Sequence, residues 1–344
     1  MNVHLIIMAG GSGTRFWPKS TAKKPKQLLP FGSGKSLIKQ TVERFDGVIS
    51  NVWVVTTKLL MDSIQKELGP KVRVLAEPEA RNTAPCVYWA SRVIGEEDPD
   101  AILVFLPADH YIRNPNAFRV TVQEAIEWAS ENEDLVTLGV KPTRPETGYG
   151  YLHCGKPKSN HCIKVERFVE KPILENAKKF LSSGEYLWNG GMFIWKAEII
   201  LRAFDEAMPQ MKKAWDDAQG NVEKAYPNMK ATSIDFGVME KVYNVVSFPL
   251  DCGWDDVGSW ASLEDISEEL NMSHDAGVVS QGECVSIDST GNIVDSAGPV
   301  VSLLGVKDLI VVVKDGVVLV ADKSRAQDIK QMVEAVKAKR PDLV

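Results

Sequence analysis

The chain has 344 residues, 44% of them hydrophobic and 25% charged, with a net charge of −6. That length suits one large domain with a small companion, and the acidic balance argues against a binder of nucleic acid or anionic membrane, whose footprint is basic. Five cysteines without a CxxC pair fit a reducing compartment better than a disulfide framework, and no apolar run reaches the ~18 residues of a membrane span; the start, Leu5 to Met8, is too short for a signal-peptide core. The expected place is the cytoplasm.

Val3 to Met8 is a short apolar run that reads as a buried strand emptying into a glycine-rich stretch, residues 10–27. Val52 to Thr56, Val72 to Leu75, Ala101 to Leu106 and Leu135 to Leu138 read as further strands, separated by predicted helices at 36–46, 58–68, 83–94 and 116–130. Such alternation predicts a parallel sheet with helices on both faces. Near Gly148 the pattern changes. Tyr149 to His153 and Ile163 to Val169 read as strands joined by a polar turn; helices at 173–182 and 196–217 enclose a strand near 192–195, and Val242 to Phe248 adds one more. From about residue 276 short β runs alternate with turn residues until a closing helix at 324–338. The expected fold class is therefore α/β, a Rossmann-like mixed and mostly parallel sheet flanked by helices, followed by a small all-β module. The expected division is a large domain at 1–270, with halves at about 1–147 and 148–270, and a small β-rich domain at 276–344.

The stretch 10–27 has the character of an anion cradle. Gly10, Gly11 and Gly13 bring bare backbone N–H groups to the carboxyl end of a strand, where open α/β sheets bind ligands. Arg15 adds a fork of donors matched to phosphate oxygens, and Lys26 a compact positive charge. The dinucleotide fingerprint is not met, because Phe16 stands at its third glycine; nor is a Walker A loop, because Leu29 stands where its first glycine belongs. Asp109 follows directly on the strand 101–106, on the same rim. A carboxylate beside a phosphate cradle suggests a cation between them, and Mg²⁺ takes one or two carboxylates with waters and substrate phosphates. A second acidic pair, Asp255-Asp256, lies in a Gly-Trp-Asp-Asp-Val-Gly-Ser-Trp run. Asn82 is a good N-cap for the helix that follows. The pairs His153-Cys154 and His161-Cys162 match no zinc spacing and read as strand packing.

The string G-G-x-G-T-R-x-W-P-x-S-x-x-x-x-P-K-Q at 10–27 resembles the signature of the sugar-nucleotide pyrophosphorylases, and Trp17-Pro18 with Pro25-Lys26-Gln27 resembles their mannose-1-phosphate guanylyltransferase branch. Further strings follow in the family's order: Arg81-Asn82-Thr83-Ala84-Pro85, Thr147-Gly148-Tyr149-Gly150-Tyr151, Phe168-Val169-Glu170-Lys171-Pro172, Trp188-Asn189-Gly190-Gly191-Met192-Phe193 with Gly190 for the usual serine, and Ser233 to Lys241. The resemblance implies the nucleotidyltransferase fold, GTP and mannose 1-phosphate as substrates, Mg²⁺ held by Asp109 and Asp256, and a C-terminal module like a left-handed β-helix that takes part in dimer contacts. It assigns Arg15, Lys26, Asp109 and Asp256 to catalysis. It places Gly10, Gly11, Gly13, Thr14, Arg15, Lys26, Glu77 and Asn82 at the nucleotide, and Gly150, Glu170, Lys171 and Asn189 at the sugar phosphate. The string 233–241 reads as a helix shaping the sugar pocket, with no assigned chemistry. The alternatives are a sister enzyme using another sugar or nucleotide, and a catalytically silent regulatory subunit of the same fold.

Overall fold

A computed structural model describes residues 2–11, 13–31, 33–268, 270–275 and 277–344. Cα packing divides the chain into two compact units that are not consecutive in sequence. The first comprises Met1–Gly10, Thr41–Ala108 and Asn114–Trp254; the second comprises Gly11–Gln40, Asp109–Arg113 and Asp255–Val344.

The first unit is built on one nine-stranded sheet. Its strands are β1 (Val3–Met8), β2 (Asn51–Thr57), β3 (Arg73–Glu77), β4 (Ile102–Pro107), β5 (Leu135–Val140), β6 (Tyr151–Pro157), β7 (Ile163–Val169), β8 (Tyr186–Lys196) and β9 (Val245–Leu250). Their order is β3-β2-β1-β4-β8-β5-β9-β7-β6. The pairings among the first four are parallel, whereas β8 runs antiparallel to β4, β5 and β6. The central strands read as continuous apolar runs because both faces are covered; residues 102–106 are all buried. Helices α1 (Leu37–Glu43), α2 (Met61–Leu68), α3 (Thr83–Glu97), α4 (Pro115–Glu131), α5 (Leu174–Ser183), α6 (Ala197–Ala207) and α7 (Pro209–Asp217) lie between strands in the chain. The predicted helix 196–217 is two helices, because Pro209 lacks the N–H that a continuous helix needs and restricts Met208 before it. Tyr88, Trp89, Phe105, Trp195, Phe204 and Trp215 dominate the core on this side of the sheet.

The strand order reverses beside β1: β2 and β3 lie to one side, β4 to the other. The carboxyl ends of β1 and β4 therefore flank a topological switch point, where open sheets bind ligands. Ala108 N–H donates to the Met8 carbonyl at 3.0 Å across that point.

In the second unit, strands β10 (Ser273–Asp275), β11 (Val278–Gln281), β13 (Asn292–Ser296), β15 (Leu309–Lys314) and β16 (Val317–Asp322) form one sheet, and β12 (Cys284–Ile287) pairs with β14 (Val301–Leu304) in parallel. The predicted C-terminal helix begins as a 3₁₀ turn, Lys323–Asp328, and becomes α8 only at Ile329–Lys339. This module shares one core with the stretch 11–40: Phe16, Trp17 and Phe31 pack in the same cluster as Trp260, Ile293, Ile310 and Ile329. Trp17 Nε1–H donates to the Leu343 carbonyl at 2.8 Å, and Trp260 Nε1–H to the Trp17 carbonyl at 3.2 Å.

All five cysteines are free thiols. Among the described residues no helix is long and apolar enough to cross a membrane.

Candidate active site

In the second unit the glycine loop closes on itself. Gly13 has φ 57°, and a Cβ there would stand 2.6 Å from Lys26 Cβ and 2.7 Å from its backbone N, so only glycine fits. Ser20 Oγ–H donates to the Gly13 carbonyl at 2.7 Å and Gln27 Nε2–H to the Gly11 carbonyl at 3.0 Å. Thr14–Phe16 forms a single 3₁₀ turn that leaves Arg15 exposed. The Arg15 guanidinium donates to Gln327 Oε1 at 2.7 Å.

Lys26 is the hub of this unit. It is 5% exposed, and its ammonium has three neighbours: Asp109 Oδ2 at 2.7 Å, the Asp256 carbonyl at 2.7 Å and the Val257 carbonyl at 3.0 Å. An ammonium has three N–H donors, so these contacts account for all of them. Burial pushes the Asp109 carboxyl up, but the Lys26 ammonium and then His110 outweigh it and hold it below its ordinary value. Asp109 thus stays an anion while its side chain remains 37% exposed. Of the acidic pair, Asp255 is buried and accepts from the Val257 N–H at 2.7 Å, a structural bond, whereas Asp256 is half-buried. Val257 is held at φ 46°, a costly conformation for a β-branched residue, and its carbonyl is one of the Lys26 acceptors. Asp109, ionised and partly open, and the half-buried Asp256 offer carboxylate oxygens of the kind Mg²⁺ takes. Among the described residues no group of three or more His, Cys, Asp and Glu side chains is arranged to hold a metal ion. His161 Nδ1 pairs with Glu124 at 2.9 Å, and His153 packs on Tyr186 with ring centroids 4.8 Å apart.

In the first unit Glu77 ends β3 and is 4% exposed. Tyr226 Oη–H donates to its Oε1, and its Oε2 lies 2.9 Å from where a Cβ on Gly10 would be. Burial pushes its carboxyl up to about 7, against the opposing Tyr226 hydrogen bond. Asn82, at φ 66°, caps α3: its Oδ1 accepts from the Thr83 N–H at 2.8 Å. The cap uses one of that oxygen's two lone pairs. The Arg81 guanidinium donates to the Met229 carbonyl at 2.8 Å, and the Ile234 N–H to Thr83 Oγ1 at 2.9 Å, which fastens this segment to 229–234.

The buried Glu77 predicts a pH dependence of stability. Between its ordinary value of 4.5 and about 7 the folded chain keeps the proton and the unfolded chain loses it. Stability contributed by Glu77 is therefore full below pH 4.5 and is lost as pH rises through 7. The Glu77→Gln variant is expected to gain on the parent by up to about 3 kcal/mol between pH 5 and pH 8. Denaturant unfolding of both proteins at the two pH values checks this; parallel behaviour would show that Glu77 titrates normally.

Three neighbouring strands bring the second set together. Tyr151 on β6 is in register with Val169 on β7 and Trp188 on β8, so Gly150, Glu170 and Asn189 are the next residues at one rim. Asn189 N–H donates to the Gly150 carbonyl at 2.8 Å. A Cβ on Gly150 would lie 3.3 Å from Glu170 Oε2 and 3.6 Å from Asn189 Cβ, so glycine keeps this corner open. Lys171, at φ 32°, pairs with Glu170 at 2.9 Å, with side chains 60% and 40% exposed. An ion pair this exposed contributes under ~1 kcal/mol to stability. The ladder between β8 and β5 shifts register between Asn189 and Phe193, and bulges of this kind re-aim side chains.

Sequence reasoning missed the partners: Tyr226 for Glu77, Gln327 for Arg15 and Asp235 for Asn189. Each lies far along the chain, and no local spacing marks it.

Residues 4–273 match the nucleotidyl transferase family, and residues 282–336 the MannoseP isomerase/GMP-like beta-helix domain. The chain is 35% identical to the mannose-1-phosphate guanylyltransferase of Escherichia coli K12 over 355 residues, covering 97% of this chain and 73% of that one. It is 39% identical over 298 residues to the xanthan biosynthesis protein XanB of Xanthomonas campestris pv. campestris B100, covering 82% of this chain but only 62% of XanB. A solved structure from Thermus thermophilus, described as a mannose-1-phosphate geranyltransferase, superposes with a TM-score of 0.88 at 32% identity and covers 98% of this chain and 100% of its own. With its sheet, glycine loop and C-terminal β module matched end to end, the chain belongs to the nucleotidyl transferase family, alongside the mannose-1-phosphate guanylyltransferases within it.

Proposed function

We propose that this nucleotidyltransferase makes GDP-mannose and diphosphate from GTP and mannose 1-phosphate, in the cytoplasm. The names of its relatives support the substrates. The observation that carries the chemistry is the Lys26 ammonium, held by Asp109 Oδ2 and the Asp256 carbonyl in the same unit as Gly11, Gly13 and Arg15.

A phosphate oxygen of the sugar phosphate bonds to the α-phosphorus of GTP, the bond to the bridging oxygen breaks, and diphosphate leaves with the electron pair. Two anions must meet, so the protein's work is positioning and charge neutralisation. Lys26, with its three N–H groups already engaged, stabilises the α-phosphoryl group through its charge. Arg15, Thr14 and the amides of Gly10, Gly11 and Gly13 hold the leaving diphosphate. Glu77 and Asn82 face the base, while Glu170 and Asn189 take sugar hydroxyls and Lys171 the sugar phosphate. Asp109 and Asp256 would hold Mg²⁺, which supplies further neutralisation of the phosphates when bound. A homodimer belongs to the same proposal: β12 and β14 leave Val285, Ile287 and Leu304 exposed, an apolar face that a second copy would cover. Light scattering of the purified protein measures that state.

The test is diphosphate release with Mg²⁺, crossing GTP, ATP and TTP against mannose 1-phosphate and glucose 1-phosphate. Fast release only with GTP and mannose 1-phosphate supports the proposal. Another productive pair keeps the reaction and changes the substrates; silence across all pairs leaves a regulatory subunit. In the active protein, Arg15→Ala and Asp109→Asn are each expected to lower turnover by about 10²–10³-fold or more while the protein stays folded. Near-normal turnover in either variant removes that residue from the mechanism.

A further inference from the structure

Asn189 is held at both ends of its amide. Its Nδ2–H donates to Asp235 Oδ1 at 2.7 Å, and its Oδ1 accepts from the Gly191 N–H at 3.1 Å. Gly191, at φ 62°, turns its N–H back across the bulge that follows Asn189. An amide has two donors and two lone pairs. These contacts use one of each and fix which end of the amide points where.

Asp235 comes from a distant part of the chain. It opens a π-helical turn, Asp235–Met239, a geometry that is rare and gathers at functional sites. The carboxyl is pushed up by burial and pulled back by Asn189, with the charges of Glu170 and Lys171 acting on it in opposite directions. All these groups lie in one unit, around the open corner at Gly150. Asp235 Oδ1 accepts from this amide, so it holds the NH₂ end of Asn189 toward itself. Without it only the Gly191 N–H orients the amide, and a turn of that amide would swap donor for acceptor on the rim assigned to the sugar.

We propose that Asp235 is the positioning residue of the sugar pocket: by fixing the Asn189 amide beside Gly150 and Glu170, it sets which epimer of a sugar 1-phosphate the pocket accepts. This rests on the assignment of that rim to the sugar phosphate.

The test is steady-state kinetics of the parent, Asp235→Ala, Asp235→Asn, Asn189→Ala and the Asp235→Ala/Asn189→Ala double variant. Asp235→Ala is expected to raise the KM for mannose 1-phosphate by about tenfold or more, to lower the preference over glucose 1-phosphate by a similar factor, and to leave the KM for GTP within about twofold. Asp235→Asn, which still offers an acceptor, is expected to recover most of the loss. The double variant is expected to be no worse than Asn189→Ala, because Asp235 acts through that residue. Additive losses, or equal losses for GTP and sugar phosphate, would reduce Asp235 to a structural role and overturn the proposal. A parent that turns over another sugar 1-phosphate fails the substrate reading, and the same cycle on that substrate then decides the role of Asp235. A parent inactive with every pair removes both.

Discussion

Replacing Lys26 by methionine is expected to lower kcat by about 10³-fold or more and to destabilise the second unit as well. Methionine keeps the length of the side chain and removes its charge. The ammonium at this buried position serves Asp109, the Asp256 carbonyl and the Val257 carbonyl together. Its loss leaves an anion without its cation and two carbonyls without a donor. Breaking a fully buried pair costs about 3–5 kcal/mol, but Asp109 is 37% exposed and water can reach it, so a cost of about 2 kcal/mol is expected. Turnover and denaturant unfolding measured on the same preparation check both parts. A folded variant that keeps a tenth of the parent's turnover would mean that Lys26 is a structural strut and nothing more.

Gly13→Ala is expected to be nearly as damaging, for a different reason. The new Cβ would meet the backbone N of Lys26 at 2.7 Å, and rotating a side chain cannot relieve a backbone clash. The left-handed φ of 57° adds strain for any residue with a Cβ. The loop must shift, and Lys26 with it. A loss of about 10²-fold or more in kcat/KM is expected, together with a lower unfolding temperature. Gly11→Ala is the control, because a Cβ there meets nothing within 4 Å. It is expected to leave the unfolding temperature unchanged, whatever it costs in phosphate binding. Equal unfolding temperatures for the parent and Gly13→Ala would show that the loop tolerates the methyl group.

The strands of the parallel part were readable because burial on both faces leaves uninterrupted apolar runs, as in 102–106. β8 was harder. Only 192–195 is readable as a strand, whereas the strand spans Tyr186–Lys196, because Gly190-Gly191 looks like a turn and is in fact a bulge inside the ladder. The string 233–241 reads as an ordinary helix and contains a π turn, which no apolar period distinguishes over so few residues. Within the candidate site, the residues to which chemistry is assigned were proposed from their motifs. The residues that hold them were not: Tyr226 stands 149 positions from Glu77, and Gln327 stands 312 from Arg15. Contacts of that range are set by topology and leave no mark on local spacing. The same holds for the grouping of 11–40 with 255–344, which only the shared core of Phe16, Trp17, Trp260 and Ile329 reveals.

That shared core has a consequence for the nascent chain. Residues 11–40 leave the ribosome long before Leu343, yet Trp17 finds its last partner there. At about 5–20 residues per second, the loop waits on the order of tens of seconds with its aromatic side chains uncovered. The first unit can assemble once Trp254 has emerged, while the second waits for Leu343. Holdase chaperones should therefore engage residues 11–40 of this protein until the partners near Leu343 have been made.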